Sequence, residues 1–521
     1  MPPAAPRLTW LDRVTRTVAP AWTLNRVRAR LAVDLLARHY EGASTGRRTS
    51  GWHRGSQDGN AATGPHVGRL RDVARDLVRN NPYAESAVTT IVDQTVGWGL
   101  TAKPRDPNAR VKAAWDAWAN STACDADGRS DFAGLQKLVM RAVVQDGEVL
   151  VRRRFRRPED GLPIPLQLQV LEADFLDTTK HGVTTPGGGR IVYGVEFNAI
   201  GQRIAYWLYP EHPGNSAWMT PASVRVPAEG VLHVYKPTRP GAARGASWLA
   251  PVLLRMKDFD EFEDATLMKQ KIAACLAVIT TDVDGSAAPL GTSDTEDPTV
   301  DWLEPGIIKA VSAGKSVEIV SPPSATDYPA YAEASLRSQA AGLGVTYEDF
   351  TGDYAELPFS AARMSRLRIW AQVEDRRWRM LVPQFCDPAW TWAMQAAVVM
   401  GLAPSAPAAH WTAPPMPMIE PDKEGLAYQR LIRSSLLSLS EAIRERGYDP
   451  DELLAEIAAD QKKLDKLGIV SDSDPRKMTQ AGQGQAAAKT APTTEPNVPP
   501  PPDGGEDSAE RHAMRVVGSR R

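Results

Sequence analysis

The side chains with the most chemistry to offer are eight histidines, His39, His53, His66, His181, His212, His233, His410 and His512. None stands in an HxH, HxxxH or HExxH spacing, so no helix presents paired imidazoles to a hydrolytic metal. Gly314, Lys315 and Ser316 resemble the end of a phosphate-binding loop, but GxxxxGK[ST] needs a glycine where Lys309 stands. Without that glycine the backbone cannot wrap a phosphate. Asp282, Asp284 and Gly285 suggest a calcium loop, yet its first ligand position falls on Thr280 and its bidentate position on Gly291. There is no GxSxG elbow, and Gly187, Gly188 and Gly189 form a turn with no GxGxxG opening a helix. Cys124, Cys275 and Cys386 are odd in number and far apart, which fits a reducing compartment better than a disulfide framework or CxxC site. His233 lies in a predicted strand and reads as a packed interior histidine. The residues therefore assign no catalytic side chain, no metal and no cofactor.

Composition narrows the class further. At 521 residues the chain holds roughly three to four domains of the usual ~150 residues. Hydrophobic residues at 42% and charged residues at 24% argue against wholesale disorder and against a multi-span membrane protein. The balance of 61 basic and 63 acidic side chains lacks the basic excess of a protein that coats nucleic acid. Charge is nevertheless local. Arg7, Arg13, Arg16, Arg26, Arg28, Arg30, Arg38, Arg47, Arg48 and Arg54 make a basic N-terminal arm over residues 1–55. Asp258, Asp260, Glu261, Glu263 and Asp264 cluster ahead of Lys269 and Lys271, and Asp349, Asp353 and Glu356 make a third segment acidic. Arg363, Arg366, Arg368, Arg376, Arg377 and Arg379 outnumber Glu374 and Asp375 in a fourth. The start of the chain has no apolar h-region, which argues against secretion. The apolar run at 389–402 contains Gln395 and falls short of the ~20 residues of a spanning helix, so it reads as buried and no membrane partner is expected.

These groups must be positioned by a mixture of helices and strands, an α+β class. Apolar residues at three- and four-residue spacing predict two helices within 68–96, broken at Asn80, Asn81 and Pro82, and another over 131–144. Residues 148–154, 166–171, 190–197, 203–209 and 231–235 are short β-prone runs between turn residues and predict an antiparallel sheet with hairpins. From 247 to 276 only Pro251 interrupts a helical pattern, and thirty residues would make a rod of about 45 Å. A Gly-, Ser- and Asp-rich insert separates it from a helix at 328–341. A loop containing Gly342, Gly344 and Gly352 leads to a helix at 359–380, around which Trp370, Trp378, Trp390 and Trp392 are expected to pack in the core. A Pro-rich linker at 403–421 precedes helices at 424–446 and 451–467, and the tail is expected to be disordered.

Four ordered segments carry a resemblance. RDVARDLVRNNPYAESAVTTIVDQTVGWGL (71–100) is similar to the opening signature of the lambda-like phage portal proteins. VLEADFLDT (170–178) with YGVEFNAIGQRIAYWLYPEHPG (193–214) resembles that family's strand and hairpin region. VPAEGVLHVYKPTRPGAARGASWLAPVL (226–253) resembles its approach to the first stem helix, and LGVTYEDFTGDYAELPFSAARMSRLRIW (343–370) its channel loop and following long helix. Ala242 and Ala243 depart from the glutamine expected before the Arg-Gly pair, and LPFSAAR replaces a pattern nearer NYSSAR.

The resemblance implies the portal fold, with a mixed α/β wing at 56–245, stem helices at 246–277 and 326–342 bracketing a clip at 278–325, and a channel loop at 343–358. A long channel-proximal helix with its return to the wing (359–402), the linker (403–421), a helical crown (422–468) and a disordered tail (469–521) complete it. It implies a non-enzymatic head-tail connector, a homo-oligomeric ring of about twelve copies at one capsid vertex. Double-stranded DNA is packaged and ejected through the ring. The expected partners are the terminase large subunit, the major capsid or scaffold protein and neck and tail connector proteins. The expected location is the virion, after assembly in the host bacterial cytoplasm. Asp258, Glu261, Lys269, Lys271, Asp349, Asp353, Glu356, Arg363 and Arg366 are the candidate channel- or DNA-facing residues. Acids repeated around a ring would let DNA slide, because lysine and arginine contacts to phosphate are what generate affinity. The same acids could instead pair with neighbouring subunits. The competing readings are another head structural protein, such as a neck adaptor or minor capsid protein, and an assembly-associated enzyme.

Overall fold

The computed structural model describes residues 56–215, 221–274, 280–281, 310–311, 328–355 and 357–470. The basic arm, nearly all of the clip, Glu356 and the tail from residue 471 lie outside the described residues.

Helix α1 (Val67–Asn80) buries Val67, Arg71, Ala74 and Val78 along one stripe. It stops at Asn81, which is extended and caps α2 (Pro82–Val96) by accepting the Ala84 N–H at 2.8 Å, with Pro82 in the first turn where its missing N–H is harmless. Strand β1 (Thr101–Pro104) and α3 (Ala109–Ala119) follow, then α4 (Phe132–Asp146), capped by Asp131. Gly147 ends α4 at φ +93°, and a Cβ there would lie 2.2 Å from the carbonyl carbon of Ala246. Only glycine permits both the left-handed turn and that close crossing.

The strand region forms two sheets where one is expected from sequence. Central β2 (Glu148–Phe155) pairs antiparallel with β3 (Leu166–Glu172), and on its other side with a strand late in the chain. A separate antiparallel meander runs β4 (Val183–Thr184), β5 (Arg190–Val192), β6 (Val195–Phe197), β7 (Arg203–Leu208) and β8 (Val224–Pro227). The run expected at 190–197 is split by Tyr193 and Gly194, both at positive φ, into β5 and β6. β9 (Val231–Tyr235) closes the three-stranded sheet in the order β3-β2-β9.

α5 (Leu253–Ala274) is 22 residues, about 33 Å, shorter than the rod expected because residues 248–252 are turns. The two-residue strands β10 (Thr280–Thr281) and β11 (Ala310–Val311) pair in parallel. α6 (Tyr328–Leu343) is followed by α7 (Tyr347–Thr351), a helical turn inside the segment read as a loop. α8 (Phe359–Arg376) runs into a π-helical stretch, Arg377–Cys386, and then α9 (Asp387–Val399). Pro383 lies inside the wide-turn stretch, where the Asp387 N–H reaches back to Val382 O, so the helix passes a proline without ending.

The 403–421 segment is more than a linker. β12 (Ala409–Thr412) pairs antiparallel with β1, and buried Trp411 donates to Asp387 Oδ1 at 2.7 Å. It joins an aromatic core in which Trp115 meets Trp390 at 4.7 Å and Phe132 stacks on Phe385 at 5.3 Å. Trp390 and Trp392 are buried as expected, whereas Trp378 is 42% exposed. α10 (Pro421–Arg433) ends at Ser435, at φ +58°, so the single helix expected over 424–446 is two, the second being α11 (Leu439–Glu445). The chain divides into one compact unit through Ser438, with Glu445–Gly447, and a second formed by Leu439–Arg444 and Tyr448 onward. In the second, α12 (Pro450–Leu467) is capped by Asp449 and closed by Gly468 at φ +70°. Among the described residues, no helix is long and apolar enough to cross a membrane.

Candidate functional site

Glu148, at the first position of β2, is fully buried and collects nearly every element that supports α5. Its carboxylate accepts from Arg244 Nη2 at 2.5 Å, from Arg71 Nη2 of α1 at 3.3 Å and from the Gly245 N–H at 3.0 Å. His233 Nε2 of β9 lies 2.9 Å away and donates, since an ionised carboxylate only accepts. Burial alone would raise the Glu148 pKa, but the Arg244 charge and the His233 hydrogen bond outweigh it and hold the group well below the ordinary carboxylate range. Burial keeps His233 below its usual value, the Glu148 contact offsetting this only in part. His233 is therefore neutral at pH 7 and acts as a donor, and the two arginines supply the charge. Next to this hub Arg75 bridges Asp146 at 2.5 Å, Asp174 at 2.8 Å and Glu172 at 3.1 Å, fastening α1 to the end of α4 and to β3.

The Arg244–Gly245 backbone leads directly into α5. Asn81, while capping α2, also donates to Asp260 Oδ1 at 2.6 Å, and Tyr83 packs on both Phe259 and Phe350. The partner helix α6 is held by the Phe262–Tyr331 ring contact at 4.4 Å, by Arg255 donating to Ser338 Oγ, and by Tyr328 donating to Glu263 at 2.8 Å. The Glu263 contact and burial push the Tyr328 phenol up to about 12, so it remains a donor at neutral pH.

Two of the five acids on α5, Asp260 and Glu263, are thus committed to internal contacts. Asp258 and Glu261 are exposed, Glu261 beside Lys257 at 3.4 Å. Lys269 is half-buried and Lys271 exposed, both near the C-terminal end of α5. Asp349 is no free acidic tip. On α7, capped by Thr346, its Oδ2 accepts from Gln94 Nε2 of α2 and its Oδ1 from Tyr354 OH, each at 2.9 Å. Ser86 Oγ donates to Phe350 O at 3.1 Å, and Phe350 is buried. The segment expected to be a loop is therefore clamped to α2 over its first half, and exposed Asp353 follows the clamp. Burial and the Asp349 bond push the Tyr354 phenol up to about 12.

The arginines of 359–380 divide by burial. Arg363 is exposed and 3.3 Å from Glu420, and Arg366 and Arg368 are exposed. Arg377 is buried and donates to the backbone carbonyls of Thr95, Gln94 and Pro414, binding α2 to the 403–421 segment. Arg376 sits over the Trp248 ring at 5.3 Å, and burial lowers it to about 10. Sequence reasoning missed Glu148, Arg71 and Arg244 as a unit. The signal at Glu148 and Arg244 is a charged residue whose two chain neighbours are apolar or glycine, and Arg71, beside Asp72, carries no such signal.

Glu148→Gln leaves buried Arg244 without a carboxylate partner, while Arg71 keeps Asp174 at 2.9 Å, and is expected to cost about 3–5 kcal/mol at neutral pH. Glu148 has a folded pKa below its unfolded value of 4.5, so its contribution is complete above that pH and is lost as pH falls through the folded value. Urea midpoints from about pH 7 to 3 should therefore fall steeply in the parent below about pH 5 and less steeply in E148Q. Gln94→Ala removes one α7 clamp bond, worth about 1 kcal/mol. Faster amide exchange across residues 347–354 with unchanged exchange in α2 is the expected result.

The sequence profile of "Phage portal protein, lambda family" matches residues 45–377, more than half of the chain. The chain is 25% identical over 472 residues to the probable portal protein of Halomonas phage phiHAP-1, covering 83% of this chain and 88% of that one. It is 26% identical over 493 residues to the portal protein of Escherichia phage N15, covering 83% and 91%. Over 384 residues it is 26% identical to portal protein B of Escherichia phage lambda, covering 65% and 70%. Among solved structures, a chain from the neck of a native gene transfer agent particle, computed with C12 symmetry, aligns with TM-score 0.42 and 14% identity over 77% of this chain and 98% of that one. With the profile matched from the residues before α1 to the end of α8, the chain belongs to the lambda family of phage portal proteins.

Proposed function

We propose that this chain is the ring-forming portal subunit of a virion, through which double-stranded DNA is packaged and later ejected. The family match across residues 45–377 carries this reading. It is supported by relatives named as portal proteins that this chain matches over most of their lengths. The role is structural: the ring, of about twelve copies, conducts DNA and docks the terminase large subunit, then the neck and tail proteins, while the capsid or scaffold protein surrounds it. On this reading 56–245 is the wing, α5 and α6 are the stem helices on either side of a clip at 278–325, and 343–358 borders the channel. Residues 422–468 form the crown.

Within that ring Lys269 and Lys271 are the candidates for weak phosphate contact, lying at the clip end of α5. With exposed Asp353 and no lysine or arginine in its sequence, the 343–358 segment is a steric collar instead of a phosphate grip, since phosphate affinity grows with each lysine or arginine engaged.

Negative-stain imaging of the purified full chain should show closed rings with a central channel, and a monodisperse monomer under assembly conditions would sink the proposal. The K269E/K271E variant should still form rings while packaged DNA is retained less well. Unchanged packaging and retention would remove these lysines from the mechanism.

A further inference from the structure

α5 and α8 each leave uncovered a face that looks like half of a helix pair. On α5 the uncovered stripe is Leu254, Asp258, Glu261, Ala265 and Met268, separated alternately by four and three residues. Leu254 is 71% and Met268 58% exposed, while Met256 and Phe259 point into the core and Phe262 and Glu263 meet α6. On α8 the stripe is Ser360, Met364, Leu367 and Ala371, with the same alternation. Met364 is 68% and Leu367 51% exposed, while Ile369, Val373 and Arg376 occupy the buried face. Alternating spacing of four and three is the seam along which two helices pack side by side at a shallow angle. Each stripe lacks such a partner among the described residues.

The two stripes are complementary in charge. Asp258 and Glu261 lie within the α5 stripe and exposed Asp264 beside it. Arg363 flanks the α8 stripe on one side and Arg368 on the other. Asp258, Asp264 and Arg368 form no ion pair among the described residues, and Arg363 reaches Glu420 at 3.3 Å. A wall that faced only water and DNA would have no use for leucine and methionine at these positions, whereas a protein interface does. We propose that the α5 stripe of one copy packs on the α8 stripe of the next copy around the ring, an acidic-on-basic seam with Leu254, Met268, Met364 and Leu367 buried within it. The proposal rests on the ring assembly above. It assigns Asp258, Glu261, Arg363 and Arg368 to contact between copies, and because the two surfaces differ, the contact is head-to-tail and closes by rotation.

The test uses two full-length variants. D258R/E261R makes both stripes basic, and R363E/R368E gives α8 acids to set against the acids of α5. Each alone should lower the fraction of chains in rings by about tenfold or more, read by mass photometry and negative stain. Mixed in equal amounts they should assemble again, because each supplies the face the other lacks, and the chain carrying all four substitutions should assemble alone. Far-UV circular dichroism and thermal unfolding of the unassembled variants should match the parent, showing that the fold is intact. Rings from either double variant at the parent level would overturn the seam, as would failure of both the mixture and the fourfold variant to recover rings. Failure of the parent chain to form rings is a separate result, which overturns the ring reading and the seam with it.

Discussion

A single buried carboxylate organises this chain. Glu148 lies at the meeting point of a helix end, a strand start and the approach to α5, and it is tolerable there only because Arg71 and Arg244 neutralise it and His233 and a backbone N–H occupy its remaining lone pairs. A carboxylate moved into that interior without partners would stay protonated or unfold the site. The contacts come from α1, β9 and the segment before α5, which are far apart in sequence, so the charge can be satisfied only when all are in place. The hub therefore specifies one arrangement of α1, β2 and β9 relative to the start of α5. A hydrophobic contact of similar size would be less demanding of direction.

Glycine 147 makes that arrangement physically possible. Its positive φ ends α4, and its missing side chain lets residues 245–247 cross within contact of the backbone. A carboxylate, a close crossing and a pair of arginines thus set the direction in which the chain enters α5. Farther along, Asn81 makes one side chain serve two elements, capping α2 through Oδ1 and gripping α5 at Asp260 through Nδ2. α2 in turn carries α7 through Gln94 and Ser86 and receives Arg377 at its C-terminal carbonyls. α2 is the shelf on which α5, α7 and the α8 helix are all registered.

What could be read from the sequence follows the range of the forces involved. The helices at 67–96, the strands β2, β3, β7 and β9 and the start of α8 were legible because periodicity and turn residues act locally. β12 was not, since four residues in a proline-rich stretch become a strand only through pairing with β1 some three hundred positions away. The glycines at 342, 344 and 352 predict a loop, but Gly342 lies inside α6, and Thr346 and Gly352 cap a helical turn that Gln94 holds down. Glycine reports what a backbone is permitted to do, and the clamp depends on side chains elsewhere. Of the candidate site, the exposure of Asp258, Glu261, Lys271, Asp353, Arg363 and Arg366 matches their charge, whereas Asp349 was drawn inward by partners that one segment's composition does not reveal.

The near-neutral total of 61 basic and 63 acidic residues takes on a different meaning once those positions are known. Arg71, Arg75, Arg244 and Arg377 are spent inside the first unit on carboxylates and carbonyls, as are Asp146, Glu148, Asp174 and Asp260. They cancel locally and contribute little to any external field. Of the charges left outside, Asp258 and Glu261 in the α5 stripe are acids and Arg363 and Arg368 beside the α8 stripe are basic, each set among exposed leucine and methionine. Net charge thus says little about which surface meets DNA. In a ring, a near-zero total can arise from faces that attract one another between copies, and the same segregation that leaves a lone chain with two incomplete surfaces would let successive copies complete them.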